Sequence, residues 1–159
     1  MPRSGVAAGV DEFSAFFERE RVAAVRLAWL LTHDPAVSED LVQEAFTAVF
    51  VRFGSVDRPA AYLRVAILNG ARERARRNER ERRRVRLVSS AGAESVEGPT
   101  GGITDAVAHL PFAQRAVVVL RYWADLPDDE IAATLGVRPG TVRSLLSRAS
   151  ARLRQEIER

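Results

Sequence analysis

The fold is decided by residues 128–150, which read Asp128-Asp-Glu-Ile-Ala-Ala-Thr-Leu-Gly-Val-Arg-Pro-Gly-Thr-Val-Arg-Ser-Leu-Leu-Ser-Arg-Ala-Ser150. Ile131, Ala132 and Leu135 recur at helical spacing and predict the inner face of a short helix. Gly136 follows at once and can end that helix, because glycine adopts the left-handed conformation without steric cost. Two short helices joined by such a turn are typical of a helix-turn-helix, whose second helix enters the major groove of DNA.

The charges of this segment are divided between its two helices. From Arg138 to Arg154 there are five Arg and no acid, as expected of a helix that faces phosphates. Residues 128–130 are all acids, which favour the positive N-terminus of the first helix. Val137 is expected to plug the turn. An ordinary helical hairpin with a solvated basic face is the alternative, but it explains neither the glycine nor the plug residue.

The rest of the chain also shows helical periodicity, and no stretch alternates as a strand would. Asp34 is predicted to cap a helix that has Pro35 in its first turn, and Pro59 to open a later one. The predicted helices cover residues 11–31, 35–52, 60 into the Arg-rich stretch, 103–109, 112–123, 128–135 and 139–156.

These helices predict an all-α fold of two small domains joined by a flexible linker. The domains are expected over residues 11–86 and 103–159, and residues 1–10 are expected to be a disordered start. The linker, residues 87–102, is rich in Ser, Gly, Ala and Glu, a composition that does not support an ordered core. Domains this small bury only about 60% of their unfolded surface. Each half is therefore expected to gain stability from a partner.

Composition argues against several classes of protein. The chain is 47% hydrophobic and 28% charged, and no apolar run approaches the roughly 18 residues of a membrane span. It contains no Cys, which excludes disulfides and thiolate zinc sites and fits a cytoplasmic location. His33 and His109 lack the spaced partners of a metal site or a catalytic triad. We therefore expect no metal, no cofactor and no catalytic activity.

One helix of the N-terminal half carries a stripe of polar residues. Asp40, Gln43, Glu44 and Thr47 fall at i, i+3, i+4 and i+7, and apolar residues occupy the opposite face. A surface for docking a partner would have this pattern. A plain solvated face explains the spacing equally well, so the residues alone leave both readings open.

The next helix ends in a strongly basic run. Residues 72–86 contain nine Arg and three Glu. Such a run is often a solvated tail or a helix stabilised by Glu–Arg pairs. Beside a second DNA-binding element, a role in following phosphates is equally plausible on the residues alone.

Three segments, occurring in this order, resemble those of the extracytoplasmic-function (ECF) sigma factors of bacterial RNA polymerase. Glu39-Asp-Leu-Val-Gln-Glu-Ala-Phe46 resembles the region 2 helix that docks on the polymerase clamp coiled coil. Pro59-Ala-Ala-Tyr-Leu-Arg-Val-Ala-Ile-Leu-Asn69 resembles the segment that opens and reads the −10 element. Leu110-Pro-Phe-Ala-Gln-Arg-Ala-Val-Val-Val-Leu-Arg-Tyr122, with the helix-turn-helix after it, resembles region 4, which reads the −35 element. The resemblance covers about residues 11–157.

The resemblance implies a sigma factor that binds core RNA polymerase and directs promoter recognition. Its partners would be the clamp coiled coil and flap of core polymerase, promoter DNA and, in some family members, an anti-sigma factor, with no membrane insertion. The implied polymerase contacts are Asp40, Gln43 and Glu44, with Phe46 packed beneath them. The implied −10 contacts are Arg58, Tyr62, Asn69, Arg72, Arg74, Arg76 and Arg77. The implied −35 contacts are Arg138, Thr141, Arg143, Ser144, Ser147 and Arg148.

Several positions depart from the family pattern. Pro127 stands where a capping Ser or Thr is usual, and Arg138 occupies the N-cap position of the recognition helix. Leu145 replaces a frequent Arg, so that one expected DNA contact is absent. Tyr62 stands where Trp is common, and Glu73 where Asp is frequent. The changes at residues 127, 138 and 145 bear on the −35 sequence and its affinity, and none of the departures bears on the class of protein.

A two-domain transcriptional regulator is the alternative to a sigma factor. Its N-terminal helices would dimerise or sense a ligand while the C-terminal half binds DNA. A dimerisation helix should carry a sustained apolar seam, whereas the stripe at residues 40–47 is polar. The stripe therefore favours the sigma factor.

Overall fold

A computed structural model describes residues 4–88 and 102–158, and within these residues every regular element is helical. The elements are α1 (Ser4–Thr32), α2 (Pro35–Arg52), a 3-10 turn (Phe53–Ser55), α3 (Pro59–Val88), α4 (Ile103–Ala108), α5 (Phe112–Tyr122), α6 (Asp128–Leu135) and α7 (Pro139–Ile157). The predicted all-α fold is confirmed. The predicted linker, residues 87–102, falls mostly outside the described residues.

The N-terminal half is a three-helix unit built on an aromatic cluster. Phe13, Phe16 and Phe17 of α1 face Phe46 of α2 and Phe53 of the 3-10 turn, and the ring centroids of Phe17 and Phe46 lie 4.7 Å apart. The rings meet edge-on or tilted, the geometry that aromatic pairs favour. This cluster fixes α2 against α1 and so orients the polar stripe outward.

The expected disordered start is wrong for residues 4–10, because α1 begins at Ser4. Residues 6–8 are Val, Ala and Ala, of which Ala is the best helix former. They extend an amphipathic helix that already exists, so no new helix nucleus is needed. Residues 1–3 lie outside the described residues.

The start of α2 and the start of α3 agree with the sequence. Asp34 is the N-cap of α2, where its Oδ1 accepts a hydrogen bond from the Val37 amide at 3.1 Å, and Pro35 occupies the first turn. Pro59 is the first residue of α3. The basic end of α3 stays helical to Val88, two residues beyond the expected domain boundary at residue 86.

The C-terminal half contains the predicted helix-turn-helix, with α6 over residues 128–135 as expected. Gly136 has φ 67° and ψ 35°, and its amide bonds to the Ala133 carbonyl while the Val137 amide bonds to the Ala132 carbonyl. These two bonds form a Schellman motif, which satisfies carbonyls that the helix end leaves free.

Val137 does not plug the turn as expected, because 37% of it is exposed. Its backbone amide closes the Schellman motif, and this position past the glycine leaves the side chain at the surface. Val142 and Ala149 of α7 are both 0% exposed. These two residues are the fully buried part of α7, and Leu145, Leu146 and Leu153 pack against the same core.

The two halves pack against each other instead of standing apart. Arg115 of α5 donates from Nη1 to the Leu31 carbonyl of α1 at 2.6 Å, and from Nη2 to the carbonyls of Ala108 and Leu110. His33 Nε2 lies 3.1 Å from the Thr104 carbonyl of α4. Each small half thus buries part of its surface against the other.

Candidate nucleic-acid interface

The polar stripe of α2 lies at the surface along its whole length. Asp40, Gln43, Glu44 and Thr47 are exposed. The opposite face is buried and consists of Leu41, Val42, Ala45, Phe46 and Val49. Phe46 is only 4% exposed, so in this structure it supports the stripe from beneath. The stripe is therefore a continuous, solvent-facing polar surface on a rigid helix.

Glu44 links this stripe to α3. Its Oε1 accepts a hydrogen bond from Arg74 Nη2 at 3.1 Å, with 66% of the Glu44 side chain exposed and 23% of the Arg74 side chain exposed. The charge of Arg74 is thereby directed toward α2. Its predicted role in holding DNA phosphates would require this pair to open.

Five of the residues predicted to contact the −10 element lie on one side of α3, four of them within the helix and one immediately before it. They recur at spacings of three, four and seven residues, which bring side chains to the same side of a helix. We call them the α3 face: Arg58, Tyr62, Asn69, Arg72 and Arg76. Asn69, near the middle of this face, is exposed, as a residue that receives an unpaired base would have to be.

Arg74 and Arg77 do not belong to the α3 face. Arg74 points to Glu44 on α2, and Arg77 pairs with Glu73 one turn earlier at 3.6 Å. The structure therefore does not bring the four arginines at positions 72, 74, 76 and 77 together on one surface. Helical periodicity alone could show that these arginines point in different directions around the axis of α3. The pairing of Arg74 with Glu44 could not be predicted in this way, because it depends on how α2 packs against α3.

Gly70 is a residue whose role the sequence did not reveal. A Cβ at this position would overlap Leu41 Cδ2, and Leu41 is 1% exposed. The absence of a side chain thus allows α3 to approach α2 closely, and it brings Arg74 within reach of Glu44. A glycine inside a helical pattern was the available signal, because such a residue often marks a close approach.

The recognition helix α7 presents its predicted DNA contacts to solvent. Thr141, Arg143, Ser144, Ser147 and Arg148 are all exposed. The Ser144 hydroxyl donates to the Gly140 carbonyl at 3.1 Å. Its oxygen remains able to accept a further hydrogen bond.

Both helices of the helix-turn-helix lack a side-chain cap at their N-termini. Arg138 is the N-cap of α7 and Pro127 that of α6, and neither makes a capping hydrogen bond through its side chain. This agrees with the departures noted in the sequence. Arg138 is exposed, so its guanidinium is accessible to a phosphate.

Arg115 and His33 make contacts between the two halves that the sequence did not suggest. Burial, followed by the nearby charge of Arg82, lowers the pKa of Arg115. Burial, followed by the charge of Arg115, lowers the pKa of His33. His33 also has φ 52°, an uncommon conformation for a residue with a side chain. Both residues form contacts between the two halves. The sequence could not show these contacts, because the bonded residues are far apart in the chain.

Other kinds of site find little support in the part of the chain that the structure describes. Within residues 4–88 and 102–158, the acidic and imidazole side chains form no group of three or more that could hold a metal ion. Over the same residues, none of the helices combines the length and apolar character that crossing a membrane requires.

Two family models match this chain, one in each half. The model for Sigma-70 region 2 matches residues 16–81, and the model for Sigma-70, region 4 matches residues 101–153. The RNA polymerase sigma-E factor of Streptomyces avermitilis is 37% identical over 156 residues, which cover 94% of this chain and 87% of that protein. The chain belongs to the sigma-70 family of RNA polymerase sigma factors. The matches to region 2 and region 4, together with relatives that are named ECF sigma factors, place it in the ECF group.

Further relatives agree with this assignment. The ECF RNA polymerase sigma factor SigL of Mycobacterium tuberculosis is 28% identical over 155 residues, covering 91% of this chain and 88% of SigL. The sigma factor RpoE from Bartonella quintana, solved in complex with the anti-sigma factor NepR, has the same fold with a TM-score of 0.74. It is 23% identical and covers 92% of this chain and 97% of RpoE.

The predicted family and the predicted function are therefore confirmed. This sigma factor confers promoter recognition on RNA polymerase, and its partners are core polymerase and promoter DNA. The contacts predicted for individual residues stay predictions.

Proposed function

We propose that the two halves divide the work of this ECF sigma factor between three surfaces. The stripe at Asp40, Gln43 and Glu44 docks on core polymerase, the α3 face takes the −10 element, and α7 reads the −35 element. The proposal rests first on the stripe, which is a polar, exposed surface lying over a buried apolar face. The chain would contribute recognition and no catalytic step of its own, and it would act in the cytoplasm, where DNA and polymerase meet.

The stripe suits docking on a basic or polar helical surface such as the clamp coiled coil. Asp40 and Glu44 supply charge, and Gln43 supplies both hydrogen-bond donors and an acceptor. Phe46, buried beneath, keeps α2 rigid against α1 through its ring contacts. A rigid element holds an interface geometry better than a loop does.

The α3 face suits a single strand of DNA. The Asn69 amide can donate to and accept from a base edge, and Tyr62 offers a ring for stacking. Arg58, Arg72 and Arg76 would hold phosphates beside them. Extruding a base costs a few kcal/mol, which contacts in the pocket must offset. The 3-10 turn before α3 would shape the choice of sequence.

The recognition helix suits the major groove of duplex DNA. Arg138, Thr141 and Arg143 lie in its first turns, the part of a recognition helix that reaches base edges. Ser144, Ser147 and Arg148 continue along the exposed side and would add groove or phosphate contacts. The flap of core polymerase would hold this half in position.

An anti-sigma factor is a further partner that we propose for this chain. The similar RpoE from Bartonella quintana was solved with the anti-sigma factor NepR. Such a partner would have to cover surfaces that polymerase or DNA needs, and the stripe and the α3 face are the candidates that this chain offers.

Glu44→Arg is the variant that tests core docking most simply. It reverses one charge of the stripe. The variant is expected to bind purified core polymerase with about tenfold lower affinity, because a charge pair in the interface would be lost. Its helix should still form, because position 44 is exposed. Gel filtration of core mixed with the variant, at low and moderate salt, measures the effect.

Glu18→Arg provides the matched control. Glu18 is an exposed acid on α1, a different helix from the one that carries the stripe, so this variant makes the same charge change and should co-elute as the parent chain does. Equal co-elution of both variants would contradict the docking assignment. Failure of the parent chain to bind core at either salt concentration would contradict the proposed function as a whole.

A further inference from the structure

A small apolar pocket lies where the end of α5 and the turn after it meet α1 and α3. Its volume is about 240 Å³. Buried aliphatic side chains form its floor and an indole ring from the other half contributes to its wall, the main lining residues being Ala24, Leu27, Leu30, Leu63, Ile67 and Trp123. We call this cavity the Trp123 pocket. An apolar cavity of about 150 Å³ is enough to take up benzene, so the Trp123 pocket has room for one aromatic ring or two fused rings.

The walls of the Trp123 pocket are held in place by a continuous core. Buried residues of both halves form one hydrophobic cluster, which includes the aliphatic floor of the pocket and Leu120 of α5. Leu126, three residues after Trp123, belongs to the same cluster, and its amide donates to the Leu120 carbonyl at 3.1 Å. The turn that follows Trp123 is therefore fixed relative to α1 and α3. A pocket with fixed walls can take a ligand without rearranging first.

Arg64, on the wall of this pocket, is a cation with only distant partners. Its side chain is 24% exposed, and its Nε is buried without a hydrogen-bond partner in residues 4–88 and 102–158. Glu130 Oε2 lies 3.9 Å from Arg64 Nη2 and 3.7 Å from Arg58 Nη2, and both distances exceed that of a hydrogen bond. Buried polar groups in proteins are nearly always hydrogen-bonded. The donors of Arg64 are therefore available to an acceptor that enters the pocket.

The charges around the pocket favour an anionic ligand. Arg26 and Arg64 both line it, and Glu20 is the one acid among its described lining residues. Glu20 Oε1 accepts a hydrogen bond from Arg19 Nε at 3.2 Å, so the charge of this acid is already paired. A planar guanidinium matches a carboxylate, with which it can form two parallel hydrogen bonds. An apolar floor beside such a cation suits a ligand that combines an aromatic ring with a carboxylate.

We propose that the Trp123 pocket binds a small aromatic carboxylate, whose ring packs against Trp123 and the aliphatic floor while its carboxylate accepts hydrogen bonds from Arg64. The inference goes beyond the proposed function, because none of the residues proposed to contact polymerase or DNA lines this pocket. A ligand there would contact α1, α3 and the turn after α5 together. It would therefore stabilise the folded chain by mass action.

Proton–nitrogen correlation NMR of the isotope-labelled full-length chain tests the site, with 2-naphthoate as the probe. The chain has two Trp, so its spectrum contains two indole N–H signals, and Trp123→Phe identifies the signal of Trp123. The probe should shift this signal and leave that of Trp29, which is not a lining residue of the pocket, in place. For a ligand of this size the dissociation constant should be about 0.1–1 mM. Absence of a saturable shift at Trp123 with millimolar probe would overturn the proposal.

Arg64→Met tests the contact with the carboxylate. Methionine keeps an unbranched apolar side chain but cannot donate, so this variant should bind the probe roughly tenfold more weakly, as loss of a hydrogen bond to a charged group does. Arg21→Met is the matched control, because it removes the same charge at an exposed position of α1 outside the pocket lining, and it should bind as the parent chain does. An unchanged Trp29 signal reports that each variant is folded. Equal affinity of the two variants would overturn the assignment to Arg64.

The neutral analogue 2-naphthalenemethanol separates charge from apolar packing. The parent chain should bind it roughly tenfold more weakly than the carboxylate, and Arg64→Met should lose most of that preference. If the parent chain bound both probes equally, apolar packing alone would account for binding and the contact with Arg64 would be wrong. These measurements involve neither polymerase nor DNA. Failure of core docking would therefore leave the pocket standing, and failure of probe binding would leave the proposed function standing.

Discussion

Gly70 and Leu41 mark a close approach of α3 to α2. Sequence periodicity predicted which side of each helix faces solvent, and the exposure of Asp40, Gln43 and Glu44 agrees. It could not predict that Arg74 pairs with Glu44, because that pair depends on the distance between two helices. The sequence therefore predicted which of these side chains face solvent, but it did not predict which side chains pair with each other.

Gly70→Ala should destabilise the fold, although alanine usually stabilises a helix relative to glycine by about 0.5–1 kcal/mol. The new Cβ would overlap Leu41 Cδ2, and Leu41 is almost fully buried, so it cannot swing away without disturbing the core. Overpacking of this kind costs about 1–3 kcal/mol. Urea unfolding should show a net loss of roughly 1 kcal/mol.

Gly140→Ala is the control for that change. It lies in α7, where a Cβ would meet only Arg143 Nη2 at 3.9 Å, so alanine there should leave the free energy of unfolding unchanged or raise it slightly. If Gly70→Ala were as stable as Gly140→Ala, the close approach of α2 and α3 would not be the reason for the glycine.

At the scale of the elements, capping and proline positions predicted most helix boundaries. Asp34, Pro35 and Pro59 start helices where expected, and Gly136 ends α6. The start of α1 was not predicted, because small residues alone carry no strong start or stop signal. Val137 was misjudged because its burial depends on how α7 leaves the turn, and sequence spacing does not fix that angle.

Arg138→Ser should stabilise the recognition helix. Arg138 has φ −80° and ψ 151°, a conformation that suits an N-cap, but its side chain makes no capping bond. A serine there can accept from the free amides of the first turn, which is worth about 1 kcal/mol. The midpoint of urea unfolding of the full chain should rise accordingly.

Arg143→Ser serves for comparison, because it removes one positive charge from the same exposed helix without creating a cap. It should not raise the unfolding midpoint. Both variants should lose affinity for duplex DNA, since each removes a candidate DNA contact. A gain in stability no greater for Arg138→Ser than for Arg143→Ser would count against a missing cap in α7.

At the scale of the whole molecule, composition predicted two units but not their contact. The matches to region 2, residues 16–81, and region 4, residues 101–153, fall in the two halves of the chain. The linker rich in Ser, Gly and Glu stays a prediction. Nothing in the spacing of residues links Arg115 with Leu31, or Glu130 with Arg58, because these pairs are far apart in the chain. Such contacts depend on complementary surfaces that only the folded halves create.

Acid should weaken the contact between the halves through His33. Burial and the charge of Arg115 lower its pKa, against smaller opposing effects of Thr104 and Asp105. The imidazole therefore stays neutral to a lower pH in the folded chain than in the unfolded chain, where an exposed His titrates near pH 6.5. Above that pH the His33 imidazole is neutral in both the folded and the unfolded chain. Below it the open or unfolded state binds more protons, so stability falls until the folded-state pKa is passed.

His33→Asn should remove this part of the pH dependence, and asparagine tolerates the positive φ at this position. Urea unfolding at pH 7.5 and 5.5 compares the variant with the parent chain. His109→Asn, at an exposed histidine paired with Glu156, should leave the dependence attributed to His33 in place. The same pH dependence in parent and His33→Asn chains would contradict the role of His33.

Transcription with purified core polymerase on a library of genomic fragments tests the central claim most directly. If this chain is an ECF sigma factor working as proposed, core plus the chain should initiate at discrete positions that share two sequence elements at a fixed spacing. Core alone should not. Initiation no more frequent or more localised than with core alone, from a chain shown to be folded, would contradict the account.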